Sequence, residues 1–192
     1  MEVTQGFLEE LRRTCGANNC ACVMVKDIIL DPGLRQSCEM NYCGEYGRTW
    51  VCPPHCGAIS DCIKKVSAYS QAIVVQTIRP LEDSYDFEGM EEAAKQFDAV
   101  FLKAVQTIRQ HIKPLADGGF PPMLCLSAGG CHRCETCTVG GQKPCRYPDE
   151  AFASLESHGI FVSDLAAKAG LNYINGQNTV TYFGAVFLPE DI

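Results

Sequence analysis

Thirteen cysteines stand in a chain of 192 residues, and eight of them fall in two short stretches whose spacing suits metal binding. The later stretch reads Cys131-His-Arg-Cys134-Glu-Thr-Cys137, with Cys145 after seven more residues. Two-residue gaps let successive thiolates of a tight loop converge on one inorganic core, and such a run with a remote fourth cysteine typifies [4Fe-4S] ligation. A single structural zinc on Cys131, Cys134, Cys137 and Cys145 is the competing reading. Zinc ligands usually come as two pairs on separate knuckles, so three evenly spaced cysteines favour the cluster.

The earlier stretch carries Cys38, Cys43, Cys52 and Cys56 in a C-x4-C-x8-C-x3-C arrangement, with Cys62 six residues further on. Pro53 follows Cys52 directly, which removes a backbone N–H and fixes φ, turning the chain away from a ligand. Four thiolates in nineteen residues suffice for a second metal core, and zinc knuckles would give similar spacing. Cys62 is a substitute for Cys56. If only one of the two reaches, three thiolates would leave an open iron where a substrate could bind.

The other cysteines have blander readings. Cys125 reads as a small buried hydrophobe in an apolar strand. Cys15, Cys20 and Cys22 lie close together and read as ordinary thiols, with a third site as the alternative. His55 and His132 sit inside the cysteine loops, whereas His111 and His158 fall where helix ends are expected. Arg35, Arg48, Arg133, Lys143 and Arg146 surround the motifs. An anionic cluster would be stabilised by such cations and by nearby N–H groups; a docking patch for an acidic partner or anionic substrate is the alternative. Trp50, Tyr42 and Tyr46 read as cover that keeps water from the metal.

The chain as a whole bounds these readings. Its length predicts one domain that hides roughly 70% of its unfolded surface on folding, so it needs no disulfide staples. Lys plus Arg number 16 against 23 Asp plus Glu, a net charge of −7, which argues against nucleic-acid or anionic-membrane partners. The first residues carry Glu2, Glu9 and Glu10 and do not read as a secretory signal. No apolar run approaches the roughly 20 residues that span a bilayer. A cytoplasmic setting is expected, where thiols stay reduced and dense cysteine points to metal or redox chemistry. Walker-A, dinucleotide-fingerprint and nucleophile-elbow patterns are lacking in the sequence.

The elements that would position the cysteines follow from hydrophobic pattern. Residues 7–13 predict a short helix, 21–25 with 28–30 one or two strands, and 35–59 an irregular ligand-bearing loop. A helix over 61–70 capped by Ser60 leads to a buried strand over 71–78. From Met90 to Ile112 apolar residues recur with period 3.6, predicting a helix ended by Pro114 and Gly118-Gly119. A strand at 122–127 precedes the second cysteine loop. Pro148 then starts a helix over 149–157, Ser163 caps another over 164–169, and 179–188 reads as a central strand. The expected fold is a single α/β domain over residues 1–192, with a mixed central sheet flanked by helices and two cysteine-rich metal-binding loops at about 35–62 and 125–147.

The sequence resembles a family of predicted metal-binding proteins of anaerobic bacteria and archaea. The resemblance lies in CGEYGRTWVCPPHC at 43–56, CHRCETC at 131–137, the KPCRYPDEA that follows, and GIFVSDLAAKAG at 159–170. It implies cysteine-bound metal, as iron-sulfur clusters, and no settled reaction. Two [4Fe-4S] clusters and electron transfer to a redox partner protein are therefore the leading expectation. A reductase with substrate at an open iron of the first site, and a structural or regulatory zinc protein, are the alternatives.

Overall fold

Thr4 opens the first helix, its hydroxyl accepting the Phe7 N–H at 3.2 Å, and Gly16 closes it in the left-handed conformation at φ 82°. The structure is a computed structural model and describes residues 3–114, 119 and 121–190. That helix, α1 (Gln5–Cys15), buries Phe7, Leu8, Leu11 and Cys15 along one stripe. Strand β1 (Asn19–Met24) follows, then a single 3₁₀ turn, Val25–Asp27. Of the second strand expected near 28–30, only an isolated bridge from Leu30 to Ile160 forms.

The segment expected to be irregular from residue 35 begins as a helix, α2 (Leu34–Glu39), so Cys38 sits on regular backbone. Helix α3 (Ile59–Ser67) starts one residue before Ser60, and the residue at its cap is Ala58. Strand β2 (Gln71–Pro80) leads to α4 (Phe87–His111), whose first turn is capped by Asp86 accepting the Gly89 N–H at 2.8 Å. The apolar period predicted α4 correctly, though capping extends it three residues earlier. His111 is its last residue, ahead of Pro114; Gly118, expected to help stop it, lies outside the described residues.

Beyond β3 (Leu124–Ser127) and the second cysteine loop, the expected helix over 149–157 is replaced by a turn, the two-residue strand β4 (Ala153–Ser154) and a 3₁₀ turn, Glu156–His158. Parallel pairing of β4 with β3 outweighs local helix propensity there. Helix α5 (Val162–Lys168) is preceded by Phe161, with Ser163 inside it. The chain returns through β5 (Thr179–Leu188), the middle strand of a five-stranded sheet ordered β1-β2-β5-β3-β4.

The sheet is mixed, as expected: all its pairs are antiparallel except β3 with β4. Ile73, Val75, Val186 and Leu188 face α1 and α4, packing on Leu11, Phe97, Phe101 and Ile108. On the opposite face Ala72, Val74, Ala185 and Phe187 meet Val66, Leu155, Ile160 and Leu165. Both faces of β2 and β5 are covered, which explains their continuous apolar text. Gly184 is required on β5 because a Cβ there would come within 2.6 Å of the Phe101 ring. The result is a single-domain α/β fold flanked by helices, with the two cysteine loops hung from α2 and from the end of β3. Among the described residues no helix is long and apolar enough to cross a membrane.

Candidate metal centre

The first cysteine loop is anchored from below. The Asp31 N–H donates to the Gly159 carbonyl at 2.8 Å, fastening the entry of the loop to the 3₁₀ turn at 156–158. Glycines at 44, 47 and 57 take positive φ, so the chain can reverse between cysteines. Cys38 is half-buried on α2, Cys43 is exposed, Cys52 is buried and Cys56 is half-buried. The Cys56 N–H donates to the Cys52 carbonyl at 3.1 Å, giving the C-x3-C pair one helix-like turn.

Arg35 organises one end of this loop. Its Nη2 lies 3.8 Å from the Cys56 sulfur and 3.8 Å from the Cys62 sulfur, and also donates to the Ser157 carbonyl at 3.1 Å. Its Nη1 donates to the Gly57 carbonyl at 3.0 Å. Cys62 is fully buried on α3, and its thiol donates to the Cys56 carbonyl at 3.5 Å. Cys56 and the proposed substitute Cys62 are therefore neighbours held on one cation. Burial pushes the Cys56 thiol up to about 11, helped by Cys62 and opposed by Arg35. Burial also pushes Cys38 and Cys52 up. Arg35 opposes it at Cys38. Cys43 and Cys38 both raise Cys52, so these three thiols lie within electrostatic reach of one another.

The second loop leaves β3 through Gly129, at φ 65°. Cys131, Cys134, Cys137 and Cys145 are all half-buried. Burial pushes Cys131 up most, the Arg133 backbone N–H draws it down, and Cys145, Cys134 and Cys137 each push it up further, so those three thiols lie within electrostatic reach of Cys131. The Tyr147 N–H donates to the Cys145 sulfur at 3.4 Å, the kind of contact that stabilises a thiolate. Of the cations that flank the motifs, Arg133 pairs with Glu150, Arg146 donates to the Thr136 carbonyl at 3.2 Å and Arg48 to the Gly44 carbonyl at 3.4 Å. His132 is exposed and lies 3.7 Å from Asp98, which raises its pKa through a hydrogen bond.

The two loops are docked to each other. The Trp50 indole N–H points at both the Thr138 hydroxyl, 3.2 Å away, and the Lys143 carbonyl, 3.0 Å away. Gly130 lies under Glu45, whose Cγ would be 2.7 Å from any Cβ added there. Trp50 is thus a strut between loops, with His55 against its ring edge at 5.5 Å. Tyr42, expected as cover, is 86% exposed and shields nothing, while Tyr46 is half-buried. His158, expected at a helix end, is instead buried in the 3₁₀ turn beneath the first loop, its Nδ1 3.0 Å from the Ser157 hydroxyl. Burial depresses its pKa to about 4.

The donor chemistry fits a thiolate-bound metal core. Among the described residues, buried Arg35 Nε, Thr49 Oγ1, Thr77 Oγ1 and Ser127 Oγ lack a hydrogen-bond partner. Three of these four lie next to the loops' cysteines: Arg35 on α2 by Cys56, Thr49 by Cys52, and Ser127 at the end of β3, 4% exposed, lining a cavity of about 20 Å³ with Cys131. A buried orphan donor costs about 1–3 kcal/mol, and an anionic thiolate core supplies acceptors for it. The thiols are gathered without being closed into a coordination sphere: among the described residues, no three His, Cys, Asp or Glu side chains form an arrangement that could hold an ion.

A five-stranded α/β sheet carrying two docked loops of soft ligands defines a cysteine-rich metal-binding protein. The family described as predicted metal-binding protein (DUF2284) matches residues 21–188, and the chain belongs to it. No curated protein and no solved structure matches the chain.

Proposed function

We propose that this protein carries two [4Fe-4S] clusters, one on Cys38, Cys43, Cys52 and Cys56 and one on Cys131, Cys134, Cys137 and Cys145, and transfers electrons to a partner redox protein in the cytoplasm of an anaerobe. The observation that supports this reading is the docking of the two cysteine loops through Trp50, whose indole N–H on one loop points at Thr138 and Lys143 of the other. When bound, such clusters supply reversible one-electron chemistry.

The residues around them have separate tasks. Arg35 and the Tyr147 N–H offset negative charge on the sulfurs, and Thr49 and Ser127 offer further donors. Trp50 fixes the distance between the loops. The exposed edge at Cys43 is where a partner would approach.

A second reading rests on the Cys56–Arg35–Cys62 arrangement. If Arg35 and Cys62 hold Cys56 aside, three thiolates remain in the first set and a substrate could take the open position, as in a reductase. Ser variants of Cys56 and Cys62 separate the readings: a carrier loses the first-site spectrum with Cys56→Ser alone, whereas a three-thiolate site keeps it in both.

Anaerobic purification followed by iron, sulfide, zinc and visible-spectrum measurement tests the proposal. Iron and sulfide near roughly eight per chain, with absorption that bleaches on dithionite, are expected. A colourless protein holding roughly one or two zinc ions would overturn it in favour of a structural zinc domain.

A further inference from the structure

Where β2 turns into α4, two aromatic side chains stand out in water: Tyr85 is 79% exposed and Phe87 72%. Phe87 is in phase with Met90, Ala94 and Phe97 on the core stripe of α4, one turn ahead of Met90, yet it is left uncovered while Phe97 is buried. Hydrophobic area of this kind on a folded surface marks a place for a partner. The rim around it is acidic. Residues 82–92 hold Glu82, Asp83, Asp86, Glu88, Glu91 and Glu92 and no Lys or Arg, in a chain whose net charge is −7. Lys95 pairs with Glu91 at 3.0 Å, whereas the exposed Glu82 and Glu88 form no ion pair among the described residues.

The turn that carries the two rings is tied down. The Tyr85 N–H donates to the Asp83 carboxylate at 2.7 Å and the Glu82 N–H to the Asp86 carboxylate at 3.1 Å. Asn178, just ahead of β5, accepts the Leu81 N–H on its carbonyl at 2.8 Å and donates its side-chain amide to the Glu82 carbonyl at 3.2 Å. A face already ordered in the free protein loses little freedom on binding. Its place relative to the metal loops also follows from the fold. Strands β2 and β3 both run antiparallel to β5 and so leave the sheet toward the same end, β2 into this turn and β3 into the second cysteine loop. Further along α4, Asp98 lies 3.7 Å from His132, and Glu45 of the first loop overhangs Gly130. Carboxylates therefore continue from the aromatic pair to the loops, while Arg133 beside them is already paired with Glu150.

We propose that the partner is a basic protein, which lays an apolar patch on Tyr85 and Phe87 and sets lysine or arginine side chains around it on Glu82, Glu88 and Glu92. An apolar centre with a charged rim is the ordinary anatomy of a protein interface. Cations of the partner also gain from the faces of the two rings, and the opposite charges steer the encounter. The same carboxylates repel nucleic-acid phosphates and anionic lipid. That this partner exchanges electrons rests on the two-cluster reading above; the docking face does not.

The test uses cytochrome c, a basic redox protein, as the probe, titrated anaerobically into the full chain at low ionic strength. Saturable binding that weakens with added salt is expected. Glu82→Gln with Glu88→Gln should weaken it roughly fivefold or more, and so should Tyr85→Ser with Phe87→Ser. Glu9→Gln with Asp27→Asn, which removes the same charge from exposed positions elsewhere, should change it by less than about twofold. Carbodiimide coupling of wild-type carboxylates to probe lysines, mapped by mass spectrometry, should place the links within residues 82–92. The proposal is overturned by absence of saturable binding, by equal weakening in the two charge pairs, by unchanged affinity in the aromatic pair, or by links that map elsewhere. The wild-type map stands even if a variant fails to fold. Binding and coupling are read whatever metal the chain holds, so a colourless zinc protein that docks the probe here would remove electron transfer and keep the docking face.

Discussion

In the first cysteine loop Cys52 is buried, Cys62 beneath it is fully buried, and one guanidinium contacts two sulfurs and two carbonyls. In the second loop all four cysteines are half-buried, and the contacts that shape it are mainly its own: the Thr138 hydroxyl on the Pro144 carbonyl at 3.0 Å, the Lys143 N–H on the Thr138 carbonyl at 3.2 Å, Arg146 on Thr136. The second loop gathers its thiols by local spacing. The first needs the 3₁₀ turn, α2 and α3 to hold its thiols in place. Two sites of similar composition thus depend on the fold to different degrees, and perturbing the scaffold should damage the first before the second.

The largest effect should come from the ligands. Cys134→Ser is expected to remove about half the bound metal while leaving the first site loaded, read as metal per chain and as residual absorption; loss of everything would mean that the loops hold one shared centre. Cys52→Ser should do the converse and also lower the melting temperature, because it places a hydroxyl in a buried position.

Acid should separate the loops next. His158 is 4% exposed, and burial holds its pKa near 4 against 6.5 in the open chain. The unfolded chain therefore takes up a proton on His158 before the folded one does. Stability is complete above about pH 6.5 and declines as pH falls toward 4, by about 3 kcal/mol in all. Melting curves across that range should show the decline and its loss in His158→Asn, with first-loop metal released before second-loop metal. A decline of equal size in the variant would remove His158 as its cause.

Cutting the strut should cost less. Trp50→Ala deletes one indole N–H shared by two acceptors and the apolar contact between loops, an expected loss of about 2 kcal/mol in denaturant unfolding and faster metal release from both sites to a chelator. Arg35→Lys keeps the charge but not the fork that spans two sulfurs and two carbonyls; it should weaken metal retention in the first loop alone. Tyr42→Ala, at the exposed tip, should change stability by less than about 0.5 kcal/mol, and a spectral change in it would restore the reading of Tyr42 as cover.

Much of this was legible in the residues. The long apolar period of α4 and the β-branched runs of β2 and β5 report burial directly, because each element is covered where its pattern says so. The C-x2-C-x2-C spacing is read without a fold for the same reason that the second loop is self-shaped. The expected helix over 149–157 went wrong where Ala153 and Ser154 pair with β3, a long-range hydrogen bonding that local propensity does not carry. Ser60 and Ser163 resemble caps in text, but each helix begins a residue earlier, from the packing of its apolar face.

By itself, then, the sequence determined the α/β class, the two groups of soft ligands and the positions of the main core elements, since all of these follow from residue type and local period. Only the tertiary structure decided that Arg35 faces Cys56 and Cys62 together, that Trp50 reaches across 88 residues to Thr138, and that buried donors at Thr49 and Ser127 lie beside the thiols. The Arg35 and Trp50 pairings join segments far apart in the chain, and they exist because the fold brings the two loops together on a sheet whose strand order is not the order of the sequence.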